Sequence, residues 1–338
     1  MERMILLLLC SAFIGALSQC SHPYCDPSKP SEERIQNLLS LATLPEKAGL
    51  LMGKGIERLH VPALTTGEAL HGVVGSCGHD KTGRQFCPSS FPSALGLSAS
   101  RNETLWNMIG QQISTESRAL VPVGGARWTP DINLFRDPRW GRGQEVPGED
   151  PHLTSRYAVN FVRGLQEGED PRYHKVIATC KHFFAYDIDA GVSNNKSYDR
   201  HSFNAVVPKA DLVDYYLPAW EACVVEAKAA SIMCSYNAVN GTPSCANGAM
   251  QNGLLRDKWG WGKSQAPANT PDPNPHQHPH LTHTLVEGQW HYTNERIGPL
   301  ALHRERLPRD RGHGPSLQLL LGAQYLHSSR SWLCEGRP

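Results

Sequence analysis

Two short runs that are apolar on both faces constrain this chain most. Val176-Ile177-Ala178-Thr179-Cys180 leads directly into Lys181-His182, and Ser231-Ile232-Met233-Cys234-Ser235 into Tyr236-Asn237. A strand with no alternating polar face is covered on both sides, as in parallel sheets flanked by helices. The stretches between have helical spacing. Residues 31–52 place Ile35, Leu38, Leu39 and Ala42 on one stripe, with Ser31, Glu32 and Glu33 reading as a capped start. Residues 97–120 do the same with Leu105, Met108, Ile109, Ile113 and Ala119, residues 155–165 with Tyr157, Phe161 and Val162, and residues 211–228 with Leu212, Tyr215, Tyr216, Ala219 and Val224. One more helix begins near Leu254. Strands alternating with helices predict an α/β fold with a parallel sheet, most simply a (β/α) barrel.

In such barrels the chemistry gathers at the carboxyl ends of the strands. Here those ends carry Glu68-Ala69-Leu70-His71-Gly72, then 131–142, then Lys181-His182, then Tyr236-Asn237. Four polar strand ends point to a cleft for a polyol or sugar. A carboxylate at Glu68 accepts from two hydroxyls, Arg142 and Lys181 are fixed donors, and His182 donates or accepts. Plainer roles exist for each: Glu68 as a helix cap, Lys181-His182 as a solvated pair, Arg142 bridging to Glu145 or Asp150, and Met233 and Tyr236 as core. The global charge favours no polyanion. Lys+Arg 33 against Asp+Glu 32 leaves +1, so neither nucleic acid nor a membrane surface is an expected partner. Hydrophobic residues at 40% with charged ones at 19% supply a core and exclude a disordered chain or a coiled coil.

The two ends of the chain differ from its middle. Arg3 precedes an apolar run from Met4 that continues to Leu17, with Ala16 and Ser18 small at the −3 and −1 positions, so residues 1–18 read as a secretory signal peptide. An exported chain makes its cysteines meaningful. Cys10 leaves with the signal and Cys334 stands in the tail. The eight between, an even number, suit disulfides: Cys77 with Cys87 and Cys234 with Cys245 are the expected pairs, and the other partners stay open. No CxxC spacing occurs, so no metal and no cofactor is expected. Asn102-Glu103-Thr104 and Asn195-Lys196-Ser197 are glycosylation sequons consistent with export; Asn240-Gly241-Thr242 is a poorer one because Pro243 and a tight turn follow. Residues 263–338 hold half of the chain's 16 histidines and lose periodicity, so they are expected to be an irregular tail unrelated to the rest. His276, His278, His280 and His283 there make a weak case for metal binding, with proline among them and no scaffold.

Four segments carry a resemblance. Glu68 to Val73, Arg136 to Pro151 (RDPRWGRGQEVPGEDP), Cys180 to Asp187 (CKHFFAYD) and Ile232 to Asn247 (IMCSYNAVNGTPSCAN) resemble glycoside hydrolase family 3, its β-xylosidase branch, from about Ser31 to Trp261. The resemblance implies the TIM-like (β/α)8 barrel of the family's N-terminal domain over 19–262, incomplete here. It also implies hydrolysis of β-linked xylose in xylan, xylo-oligosaccharide or arabinoxylan, with retention through a glycosyl-aspartate. It assigns sugar holding in the first subsite to Glu68, Arg142, Lys181 and His182, and less securely to Arg200. Met233 and Tyr236 match the family's apolar wall and a tyrosine near the nucleophile. Glucose-cleaving members commonly carry aspartate where Glu68 stands, so a pentose pocket is implied. The chain departs from the pattern after Leu255-Arg256-Asp257-Lys258-Trp259-Gly260-Trp261. The family continues with a strand ending in Ser-Asp, whose aspartate is the nucleophile; Gly262-Lys263-Ser264-Gln265-Ala266-Pro267 stands here instead. A shifted or misjoined reading frame or a retained intron accounts for such a change. The acid/base glutamate has no match either. An inactive chain, or a weak sugar binder, is therefore the second reading beside the enzyme.

Overall fold

The computed structural model describes residues 20–262 apart from 80–81, 121–124, 172 and 194. The expected signal peptide, the tail from 263 and its histidine tract lie outside the described residues. Four strands form the central sheet: β1 (Thr66–Glu68), β2 (Ala126–Trp128), β3 (Ile177–Phe183) and β4 (Ser231–Cys234). They are hydrogen-bonded in that order and all run parallel. Spatial order equal to chain order, with helix between successive strands, is the arrangement of consecutive barrel units. Among the described residues the sheet has these four strands and does not close on itself.

Side chains alternate across a strand, so Ala178 and Cys180 of β3 face one side while Thr179 and Lys181 face the other. The disulfide from Cys180 to Cys223 ties the first side to the helical stretch 209–226. Lys181 is thereby turned away from the helices and into the sheet's interior face. Three further disulfides join Cys20 to Cys25, Cys77 to Cys87 and Cys234 to Cys245. The two expected pairs are thus present, and the structure supplies the partners that spacing left open.

The helices follow the apolar stripes with local differences. The stretch 31–52 is two helices, α1 (Ser31–Leu41) and α2 (Leu44–Leu51). Pro45 in the first turn of α2 has no N–H to continue an earlier helix, and Thr43 with Glu46 closes a capping box. Pro30, with no side-chain bond, occupies the N-cap of α1, so Ser31 is not its cap. The stretch 97–120 also breaks. Arg101 turns left-handed at φ 48°, and Asn102 then caps α3 (Glu103–Leu120), its Oδ1 accepting from the Leu105 N–H at 3.1 Å. Met108 is exposed rather than inward, and Trp106 takes the buried position. The next helix, α4 (Pro151–Gln166), starts from Asp150, which accepts from the His152 N–H at 2.8 Å. The last helical stretch, Ala249–Lys258, begins before Leu254.

Trp106, Tyr157, Phe161, Phe183, Phe184 and Trp220 fill the core between sheet and helices. Burying each such ring contributes about 1.5–3 kcal/mol. Glycine lets α3 and α4 approach closely enough to seal it. A Cβ on Gly164 would stand 2.2 Å from Asn107 O, and one on Gly110 2.7 Å from Phe161 O. A separate small cluster of Tyr24, Ile35, Leu38, Leu39, Leu50 and Ile56 anchors α1 and α2.

Candidate functional site

The polar side chains at the ends of β1, β2 and β3 converge. Lys181 Nζ donates to Glu68 Oε1 at 2.8 Å and to Oε2 at 2.7 Å. The pair spans β2, about 10 Å over two strand spacings. The Lys181 side chain is 1% exposed and that of Glu68 36%. Lysine is therefore the buried base of the pair and glutamate its face toward solvent. Lys181-His182 is not a solvated pair, because His182 is 3% exposed. Glu68 ends a strand and caps no helix.

Asn133 fixes His182 by its backbone. Asn133 Oδ1 accepts from the His182 N–H at 2.8 Å, and Asn133 Nδ2 donates to His182 O at 2.9 Å. The imidazole Nδ1 lies 3.3 Å from Asp131 Oδ2, which also faces Arg142 Nη2 at 3.7 Å. Asp131 is 0% exposed. Burial opposes its ionisation, but His182, Arg142 and Lys181 outweigh burial and hold the carboxyl below the usual range. For His182 burial wins: it depresses the imidazole in spite of Asp131, which keeps the ring neutral near pH 7.

Arg142 is held from three sides. Its Nε reaches Glu145 Oε1 at 3.1 Å and its Nη2 reaches Oε2 at 2.5 Å, a bidentate clamp. Its Nη1 lies 3.4 Å from the Tyr186 hydroxyl. The bridge to Glu145 thus exists alongside the contact with Asp131. Arg142 and Glu145 line, with Glu68, His71, Gly72 and Val74, a cavity of about 330 Å³, of monosaccharide scale. Gly72 shapes its wall: φ is 136°, and a Cβ there would lie 2.2 Å from Ser89 O.

Tyr186 joins the remaining residues to this cluster. Its ring packs edge-on against His182 at 5.1 Å between centroids. Its hydroxyl donates to Asp189 and also faces Arg200. Burial, reinforced by Asp189, pushes that hydroxyl up to about 12. The Arg200 guanidinium stands 5.2 Å from the centre of the Tyr236 ring, so Arg200 meets the cluster through Tyr186 and Tyr236 packs on Arg200. Met233 is paired in register with Lys181 and is 1% exposed, a core position. Asp131, Asn133 and Tyr186 were not among the expected site residues. For the first two a signal existed: both polar residues alternate with Ile132 and Leu134 just past β2.

Carboxylates, fixed cations and a tyrosine thus gather at the carboxyl ends of a parallel α/β sheet, where folds of this class carry their chemistry. Residues 41–262 match the glycosyl hydrolase family 3 N terminal domain, and the chain belongs to that family. It is 46% identical over 245 residues to beta-D-xylosidase 3 of Arabidopsis thaliana, covering 70% of this chain and 31% of that one. It is 44% identical over 249 residues to beta-xylosidase/alpha-L-arabinofuranosidase 1 of Medicago sativa subsp. varia, covering 71% and 32%. Among solved structures it resembles the family 3 exo-beta-xylosidase XlnD, in complex with a xylobiose aziridine probe. The TM-score is 0.64 at 41% identity, over 71% of this chain and 32% of that one. Beta-glucosidase 3B of Thermotoga neapolitana, in complex with glycerol, matches with a TM-score of 0.59 at 25% identity, over 68% and 33%. The chain spans about a third of the length of the curated relatives it matches.

Proposed function

We propose that the described residues form the sugar-holding first subsite of a β-xylosidase-type glycoside hydrolase acting on xylan, xylo-oligosaccharide or arabinoxylan. The observation that carries this reading is the Glu68–Lys181 pair, with Lys181 buried and Glu68 lining one cavity with Arg142. Glu68 accepts from sugar hydroxyls while Lys181 fixes it, and Arg142, oriented by Glu145 and Asp131, donates to an adjacent hydroxyl. Neutral His182 serves as a further donor or acceptor. Likeness to two β-xylosidases supports xylose as the sugar. Glu68 reaches one methylene further than aspartate into the space a hydroxymethyl group would fill. Xylose is therefore expected to bind roughly tenfold to a hundredfold more tightly than glucose.

Holding a sugar and cleaving its bond need different groups. A retaining hydrolase attacks the anomeric carbon with a carboxylate and protonates the leaving oxygen with a second. No carboxylate stands in the nucleophile's context after Trp261, and Glu68 and Glu145 are engaged with Lys181 and Arg142. We infer that these residues bind β-xylosides without hydrolysing them. Four disulfides among the described residues support an oxidising, extracellular setting. Titration calorimetry of the purified chain with xylose and glucose tests the binding, with Lys181→Met as the control that abolishes it. Release of nitrophenol from nitrophenyl β-xyloside tests the chemistry. Absence of xylose binding overturns the first reading; turnover above blank that disappears in Glu68→Ala overturns the second.

A further inference from the structure

The three sequons differ in what their asparagine amides already do. Asn102 and Asn195 are exposed, and neither Nδ2 bonds a described residue. The Oδ1 of Asn102 accepts from the Leu105 N–H at 3.1 Å, which leaves Nδ2 outward at the start of α3. Asn195 sits left-handed, at φ 57°, in the turn between strands Ala190–Ser193 and Lys196–Asp199. Thr104 and Ser197, which complete these two sequons, are exposed as well. Asn240 is exposed too, but both ends of its amide are bonded to one buried residue. Its Oδ1 accepts from the Val207 N–H at 2.8 Å and its Nδ2 donates to Val207 O at 2.9 Å.

That closed ring uses the amide hydrogen on the same side as Oδ1. In N-glycosylation the amide nitrogen attacks the anomeric carbon of a polyprenyl-diphosphate oligosaccharide. The nitrogen–carbon bond forms, the bond from that carbon to the diphosphate oxygen breaks, and one amide proton leaves. The product is a secondary amide, which prefers trans and so places the sugar on the oxygen's side. At Asn240 this is the position that Val207 O occupies. A glycan there would break the ring and leave the Val207 N–H and C=O without partners. At Asn102 and Asn195 no described residue is bonded at the same position, and both residues are exposed.

We propose that Asn102 and Asn195 carry N-linked oligosaccharide and that Asn240 does not. The assignment is independent of the sugar cleft. The full chain is secreted from insect cells and treated with peptide N-glycosidase in heavy-oxygen water. Glycosylated asparagines are then read as labelled aspartate by peptide mass spectrometry. Label is expected at 102 and 195 and not at 240. Thr104→Ala and Ser197→Ala each remove one glycan step on a gel, and Thr242→Ala removes none. Label at Asn240, or its absence from either of the other two positions, overturns the proposal.

Discussion

Replacing Asp131 by asparagine keeps the shape of the side chain and removes its charge. Both oxygens of Asp131 face donors. Oδ1 takes the Asn133 N–H at 3.1 Å, while Oδ2 faces His182 Nδ1 at 3.3 Å and Arg142 Nη2 at 3.7 Å. An amide has one acceptor oxygen, so in either orientation its NH2 group points at a donor. The residue is 0% exposed, so bulk solvent does not reach the new amide. Removing one partner from a buried ionic cluster costs about 3–5 kcal/mol, against a total of about 5–15 kcal/mol for a domain. Urea unfolding at pH 7 with disulfides intact should show that loss as a lowered midpoint, and calorimetry should show xylose binding weakened by at least about tenfold. Acid supplies a second readout. The folded carboxyl is depressed, so its stabilisation is complete above the unfolded value of about 3.9 and is lost as pH falls through the lower folded value. The stability gap between wild type and Asp131→Asn should therefore close below about pH 4. A loss under about 1 kcal/mol, or a gap that persists unchanged into acid, would refute the role given to this carboxylate.

His182 should destabilise the fold on mild acidification. Its folded pKa is depressed, so the unfolded chain takes a proton first below about 6.5, and stability falls by up to about 1.4 kcal/mol per pH unit until the folded value is reached. His182→Gln should flatten that window in chemical unfolding; an equal slope in both proteins would count against it. Gly164→Ala should cost about 1–3 kcal/mol and lower the melting temperature, since the new Cβ meets backbone of α3 rather than a movable side chain. Paired replacement of Cys180 and Cys223 by serine opens a loop with sequence separation 43 and should cost about 4 kcal/mol in the chain-entropy account. Unfolding midpoints of the paired variant that match the wild type would show that the core alone holds β3 to its helices.

The sequence by itself determined the class of fold and the chemical character of the site. Runs such as 176–180 have no polar face, and a parallel sheet with helices on its faces satisfies them, so β3 and β4 are legible at nearly their observed bounds, whereas α4 starts one turn before the expected Ser155. The resemblance likewise points to Glu68, Arg142, Lys181 and His182, whose side chains the sheet brings into one cluster with Asp131. Helix boundaries were less legible, because they depend on single backbone events. Pro45 and the left-handed Arg101 break stretches whose apolar stripes continue across them. Only the tertiary structure decided which polar groups share one another's field. Lys181 and Glu68 are 113 residues apart, yet they meet across β2. Asp131 joins His182 and Arg142, and Tyr186 joins Arg142 to Arg200. Periodicity reports the face on which a residue lies and carries no information about its opposite number on another strand. Pair distances and burial set the strength of an ionic contact, and both are fixed only when the sheet brings separate strand ends to one place.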